Sequence, residues 1–240
     1  MLHLSTRRPF ASLLRLLPTA ALVLLAPTIS HAFKLNDTGL DICYSASNAP
    51  VPCADPTAIV GQDAMWGRDA AGMAPFSAQL FFKIGAGGAG FDYTQICANG
   101  DAAGSGTCPL NPPANTGPNP APTQWACTRD NVTGLLWSLE SKTGGTWVTY
   151  SASATTSRCG YTSGWRMPTT RELLSIVNSG THAPAIDSFF PGTQLNWYWA
   201  AELEAINPAN AWMVDFTNGA AGTNTKTDLS FPTRLVHGPH

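Results

Sequence analysis

Trp197, Tyr198 and Trp199 stand in line, and Asn207, Asn210, Trp212 and Asp215 follow close behind. Aromatic faces stack on sugar rings, and amides and carboxylates beside them take hydroxyls, so these seven residues are the candidate ligand-binding set. A hydrolytic site would need a nucleophile beside a base. Beyond residue 32 the histidines are only His182, His237 and His240, and neither a Gly-x-Ser-x-Gly elbow nor a His-Glu-x-x-His pair occurs. Glu140, Glu172, Glu202, Glu204 and Asp215 could meet in space as the paired carboxylates of glycoside chemistry, but no pattern joins them. A non-catalytic chain is expected.

Sulfur is the second chemical resource. Cys43, Cys53, Cys97, Cys108, Cys127 and Cys159 make an even count, which in an exported chain argues for disulfides, with fifteen possible connectivities. Sequential pairing (43–53, 97–108, 127–159) is preferred, because the first two bridges would close short loops rich in Pro, Gly, Asn and Asp. A zinc site would need CxxC-type spacing or cysteines near histidines, and neither is present. No cofactor is expected, and nothing indicates calcium. The glycines of Ile84–Gly90 resemble a phosphate cradle in spacing alone. They lack the Lys-Ser/Thr ending and no helix pattern follows, so they read as a loop.

Export itself is read from the first residues. Arg7, Arg8 and Arg15 make a basic start, Leu13–Ala26 is an apolar run broken by Pro18, and Ser30-His31-Ala32 offers small residues for a signal peptidase. The run is short of the ~20 apolar residues that span a bilayer. Cleavage after Ala32 is expected, giving a secreted, periplasmic or surface protein with no membrane span. That segment holds three of the 13 basic residues and none of the 15 acidic ones; ten against 15 leaves a formal charge of −5. An acidic chain without Lys/Arg runs is a poor ligand for nucleic acid or other anionic polymers.

The elements that must position these groups are modest. Residues 33–97 are turn-rich, with an Asp-rich loop (Asp63, Arg68, Asp69) and apolar pieces at Phe81-Phe82 and Phe91–Ile96. Residues 98–123 are rich in Gly, Ala, Asn and Pro, a linker or a long surface loop that buries too little apolar surface to form a core. From residue 124 the pattern changes. Gln124–Thr128, Gly134–Leu139, Trp197–Trp199, Ala211–Phe216 and Pro232–Val236 read as strands, and Gly145–Tyr150 as one more. Thr169 followed by Glu172 is a capping box opening a helix whose face is Leu173, Leu174, Ile176 and Val177, stopped by Asn178-Ser179-Gly180. Short strands joined by tight turns around one strong helix predict an α+β domain over 124–238. Within it, strand alternation sends Trp197 and Trp199 one way and Tyr198 the other, so one side is core and the other at least partly open. The loops 202–210 and 217–225 are where a ligand surface is expected.

Four segments in this order carry a resemblance: TRDNVTGLLWS (128–138), GWRMPTTREL (164–173), WYWAAEL (197–203) and NAWMVDFTNG (210–219), closed by TRLVHG (233–238). Together they resemble the Lcl C-terminal domain family of exported bacterial proteins, and GQDAMWGRDAA (61–71) is similar to a segment upstream of such domains. In relatives a basic residue commonly stands where this chain has His237. The resemblance implies a C-type-lectin-like fold: a small antiparallel sheet, one or two helices, and terminal strands that meet. It also implies adhesion, to a glycan or a cell-surface protein. The founding member's sulfated polysaccharide ligands depend on positive charge that this chain lacks. The alternative is a structural component of the cell envelope or of a surface appendage.

Overall fold

Thr169 and Glu172 do form the reciprocal cap. The Thr169 hydroxyl accepts the Glu172 N–H at 3.1 Å, and a Glu172 carboxylate oxygen accepts the Thr169 N–H at 2.7 Å. Around this helix the computed structural model, which describes residues 36, 38–40, 42–65, 90–152 and 157–238, builds an α+β arrangement of small antiparallel sheets. The expected leader at 1–32, Arg68, Asp69, Phe81-Phe82, His240 and the glycines before Gly90 lie outside the described residues.

A two-residue ladder, β1 (Cys43–Tyr44) with β2 (Pro50–Val51), is followed by a 3₁₀ turn at Asp63–Met65. The main sheet contains β3 (Tyr93–Cys97), β4 (Trp125–Asp130), β5 (Leu136–Lys142), β10 (Thr233–His237) and β6 (Trp165–Arg166), in that spatial order. Between β5 and β6 lies α1 (Trp147–Ser151), and α2 (Thr170–Ser175) follows β6. The second sheet is the meander β7 (Trp197–Leu203), β8 (Asn210–Asp215) and β9 (Ala221–Thr225). The last strand thus returns beside β5, so early and late parts of the domain close on one another.

Two expectations are corrected. Gly145–Tyr150 is not a strand: Thr146 accepts the Thr149 N–H as an N-cap, and the Trp147 indole donates to the Ala200 carbonyl at 2.7 Å. A tertiary anchor overrides the β-leaning composition of Trp-Val-Thr-Tyr. The sheet also starts before residue 124, because β3 pairs with β4 from Tyr93↔Asp130 to Cys97↔Trp125. Of the two readings of 98–123, linker or long surface loop, the structure has the surface loop, tied along its length. Asn115 donates to the Trp125 carbonyl, Trp125 donates to that of Pro113, and the Arg158 guanidinium reaches the carbonyls of Gly117 and Pro118. Such a loop is ordered by main-chain bonds and by Cys97–Cys108 rather than by apolar burial.

All three disulfides pair sequentially: Cys43–Cys53, Cys97–Cys108 and Cys127–Cys159. The core has two clusters. Leu135, Trp137, Leu173, Ile176, Phe190, Tyr198, Val214 and Val236 belong to one; Ile96, Leu136, Trp165, Trp199, Met213 and Leu235 belong to the other. Each draws on both sheets. Register explains the division. Trp199 opposes Met213, and Tyr198 opposes Val214, so adjacent residues of β7 enter opposite clusters. The second sheet is covered on both faces.

Asn36, Thr38 and Gly39 tie onto the same domain. The Asn36 amide donates to Asp130 at 2.6 Å and to the Ser175 carbonyl at 2.9 Å, and Ser179 donates its N–H to the Thr38 carbonyl. Gly39, at φ +82°, lies so close to Asn178 that an added Cβ would sit 2.3 Å from its side-chain oxygen. Any other residue there would push this strap off the helix.

Candidate binding surface

The aromatic residues do not form the exposed platform that strand alternation suggested. Tyr198 and Trp199 are fully buried, so both are withdrawn as ligand contacts. The alternation argument assumes one open face, and this sheet has none. Trp197 and Trp212 are half-buried. Trp197 lies over Gly222, where a Cβ would come within 3.0 Å of its ring. Trp212 stands opposite Thr223 on the other face. Tyr198 serves the fold instead, since its hydroxyl shares a hydrogen bond with Ser141 at 2.7 Å and accepts the Gln194 N–H.

The polar candidates separate as well. Asp215 is buried, and its carboxylate accepts the Thr217 N–H at 2.8 Å, capping the Thr217-Asn218-Gly219 turn as its position implies. Gly219 holds φ +81° there, and a Cβ would meet Val177 at 2.7 Å. Asn210 donates to Glu204 across the β7–β8 hairpin, and Asn207 is exposed at its tip. Of the expected ligand loops, 202–210 is a hairpin tip, whereas 217–225 is mostly strand β9. The seven candidates therefore do not converge on one site.

Each carboxylate that sequence left open for catalysis has an occupation. Glu140 accepts from Arg158 at 2.8 Å, Glu172 is bidentate with Arg166 at 2.6 and 2.8 Å, and Glu202 accepts the Thr170 N–H. Burial would raise the Glu172 pKa, but the hydrogen bonds from Arg166 and Thr169, with the Arg166 charge, together hold it below its ordinary 4.5. Its ionised form therefore stabilises the fold fully above 4.5, and that contribution is lost as pH falls through the depressed value. Glu172→Gln is expected to lower Tm at neutral pH and to shrink the further fall of Tm below about pH 4.5. Thermal melts of both proteins from pH 7 to 3 check this; parallel curves would refute it.

His237 stacks on Tyr161 with ring centroids 3.8 Å apart, and burial and the Arg166 charge lower its pKa. Among the described residues no three His, Cys, Asp or Glu side chains gather as metal ligands.

What sequence reading missed is a polar groove of about 400 Å³ between the end of β5, α1 and the 98–123 loop. Thr116, Glu140, Ser141, Lys142, Thr143 and Thr149 line it. Glu140 and Lys142 are two apart on one strand and share a face, with 3.9 Å between carboxylate and ammonium. Arg158, almost wholly buried, braces Glu140 from behind and also bonds the carbonyls of the loop that forms the far wall. Hydroxyls and one charge of each sign are thus held on strand and helix rather than on free ends. The legible signal was Glu-x-Lys followed by Thr-Gly-Gly; its partner wall, 24 residues upstream at Thr116, was not.

A second cavity of about 450 Å³ lies along α2, between Arg171, Leu174, Asn36 and Thr38. Among the described residues no helix is long and apolar enough to cross a membrane.

No curated protein matches the chain significantly. The Lcl C-terminal domain family matches residues 126–237, a span that begins in β4, ends in β10 and contains both core clusters' main contributors. The four resembling segments all fall inside it, on β4–β5, the capped helix, β7 and β8. The segment from Ala126 to His237 is an Lcl C-terminal domain.

Proposed function

We propose that this chain is an exported, non-catalytic binding protein of C-type-lectin-like build that recognises a glycan or a surface protein through the groove at the end of β5. The groove carries the reading: a concave, hydroxyl-lined site holding Glu140 and Lys142 on a disulfide-braced frame. Sugar hydroxyls need donors and acceptors in fixed positions, and this wall supplies both. Disulfides in all three cysteine pairs suit an oxidising compartment, which supports export. The structural occupation of Glu140, Glu172, Glu202, Glu204 and Asp215 supports a non-catalytic role.

Lys142→Ala is the direct test, since Lys142 touches only Glu140 at a weak 3.9 Å. A partly covered pair at so long a separation, open to solvent on its groove side, contributes about 1 kcal/mol or less, so the fold is expected to survive. Glycan-array screening at low and physiological salt should give a hit with the wild type that falls at least tenfold in the variant, about 1.4 kcal/mol of binding. No glycan hit, together with co-purification of an envelope partner, would overturn the glycan reading.

One observation favours the structural-component alternative. Ile42 and Tyr44 at β1, and Ile59 and Val60 on the segment that follows the Cys43–Cys53 loop, are exposed, and the Ile59 N–H donates to the Tyr44 carbonyl and holds the two pieces together. Apolar side chains gathered on a small element are the form an assembly contact takes.

A further inference from the structure

We propose that the outer edge of β9 is a homodimerisation surface, on which a second copy of this chain adds its own β9 antiparallel. The hydrogen-bond phase carries the argument. Asp215 donates its N–H to the Ala220 carbonyl, and Lys226 donates to that of Ala209. With Met213 opposite Gly222 and Ala211 opposite Asn224, residues 222 and 224 turn their main-chain groups to β8, as do the Ala220 carbonyl and the Lys226 N–H, while the Lys226 carbonyl accepts the Trp147 N–H. Antiparallel pairs alternate in this respect, so Ala221, Thr223 and Thr225 turn theirs outward. Thr225 is satisfied locally, by the Asn224 side chain and by Asp228. Ala221 and Thr223 keep an outward N–H and C=O with no main-chain partner among the described residues.

The other long edges are closed. On β7, Trp199 and Ala201 donate to the carbonyls of Pro232 and Pro168. On β3, Ala103 donates to the Gln95 carbonyl, and Ile96 bridges Ala102. Folded proteins guard open edges with lysine, proline or a bulge. β9 has none of these: Ala-Gly-Thr-Asn-Thr carries no charge and no proline, and its register with β8 runs without a shift.

An identical strand fits this edge. A two-fold axis at Gly222 pairs Ala221 of each copy with Thr223 of the other, so that the four outward N–H and four outward C=O groups of those residues meet as two reciprocal antiparallel pairs and Thr225 is not called on. Because β9 is uncharged, two copies meet there without repulsion. The axis also brings the Gly222 residues of the two copies together, next to the half-exposed Trp197, while Trp212 borders the seam from the opposite face. The two candidate tryptophans left open by the fold thus flank the pairing strand. This inference is independent of the groove, and a failed glycan screen leaves it standing.

Native mass spectrometry and light scattering of the chain, expressed at full length and purified with its disulfides intact, read the result across concentration. Thr223→Pro removes an outward N–H without touching the ladder to β8, a place where edge strands tolerate proline. Ala221→Lys puts like charges at the seam. The wild type is expected to dimerise, and each variant to raise the dimer Kd at least tenfold with β-sheet circular dichroism unchanged. If Thr223→Pro fails to fold, Ala221→Lys decides alone. A wild type that stays monomeric to its solubility limit, or an Ala221→Lys variant that dimerises equally well, overturns the proposal; the first outcome would leave the edge for a foreign strand.

Discussion

Arg234→Ala is expected to cost about 4 kcal/mol of stability, in the range for emptying a large buried site. Arg234 is fully buried, donates to the Ser138 carbonyl at 2.7 Å and to Thr193 at 2.9 Å, and lies 5.4 Å from the Phe190 ring and 6.0 Å from that of Tyr198. Burial lowers its pKa, with Tyr198 acting the other way, and among the described residues no carboxylate forms an ion pair with it. Two effects therefore oppose each other: packing and hydrogen bonds hold β10 in place, while an unpaired cation is kept from water. Arg234→Met separates them. It retains most of the volume, loses two hydrogen bonds at about 1 kcal/mol each, and removes a desolvation cost of several kcal/mol. The methionine variant is thus expected within about 1 kcal/mol of the wild type. Urea unfolding of both variants measures this. Equal losses would mean that the guanidinium's bonds, not its bulk, secure the last strand.

The Cys127–Cys159 bridge carries the second large effect. Both cysteines are buried in the cluster that holds Trp165 and Trp199, and the bridge spans 32 residues that include β5 and α1. Loop-closure entropy for that length gives about 4 kcal/mol. Cys127→Ala with Cys159→Ala is expected to lose that much, unfolding the main sheet at a markedly lower temperature. The Cys43–Cys53 bridge closes a separation of only 10 residues, about 3 kcal/mol by the same relation, and it does so within the N-terminal hairpin. Its loss in Cys43→Ala with Cys53→Ala is expected to loosen that hairpin while the main transition stays in place. Calorimetry of the two double variants distinguishes the bridges. A main transition lowered equally by both would show that hairpin and domain unfold as one.

These expectations rest on features of very different visibility. The capping box, the Asp215 turn and the sequential disulfides were legible because each is decided within a few residues or by short loop closure. The strands of β4, β5, β7, β8 and β10 were legible for the same local reason: β-rich runs bounded by turn residues. The helix at Trp147–Ser151 was not, because its anchor is the carbonyl of Ala200, more than fifty residues away. β9 was hidden because Ala-Gly-Thr-Asn-Thr has the composition of a turn and becomes a strand only by pairing with β8.

The amino-acid sequence by itself determined the family of residues 126–237, the sequential sulfur framework and the strands and capped helix whose signals are local. Only the tertiary structure decided what faces solvent. Alternation says that Tyr198 and Trp199 point apart, but it cannot say that a core cluster waits on each side. Nor can local pattern assemble a groove whose walls come from Thr116, the end of β5 and Thr149. Exposure depends on every other element that packs nearby, and that sum exists only once the chain has folded.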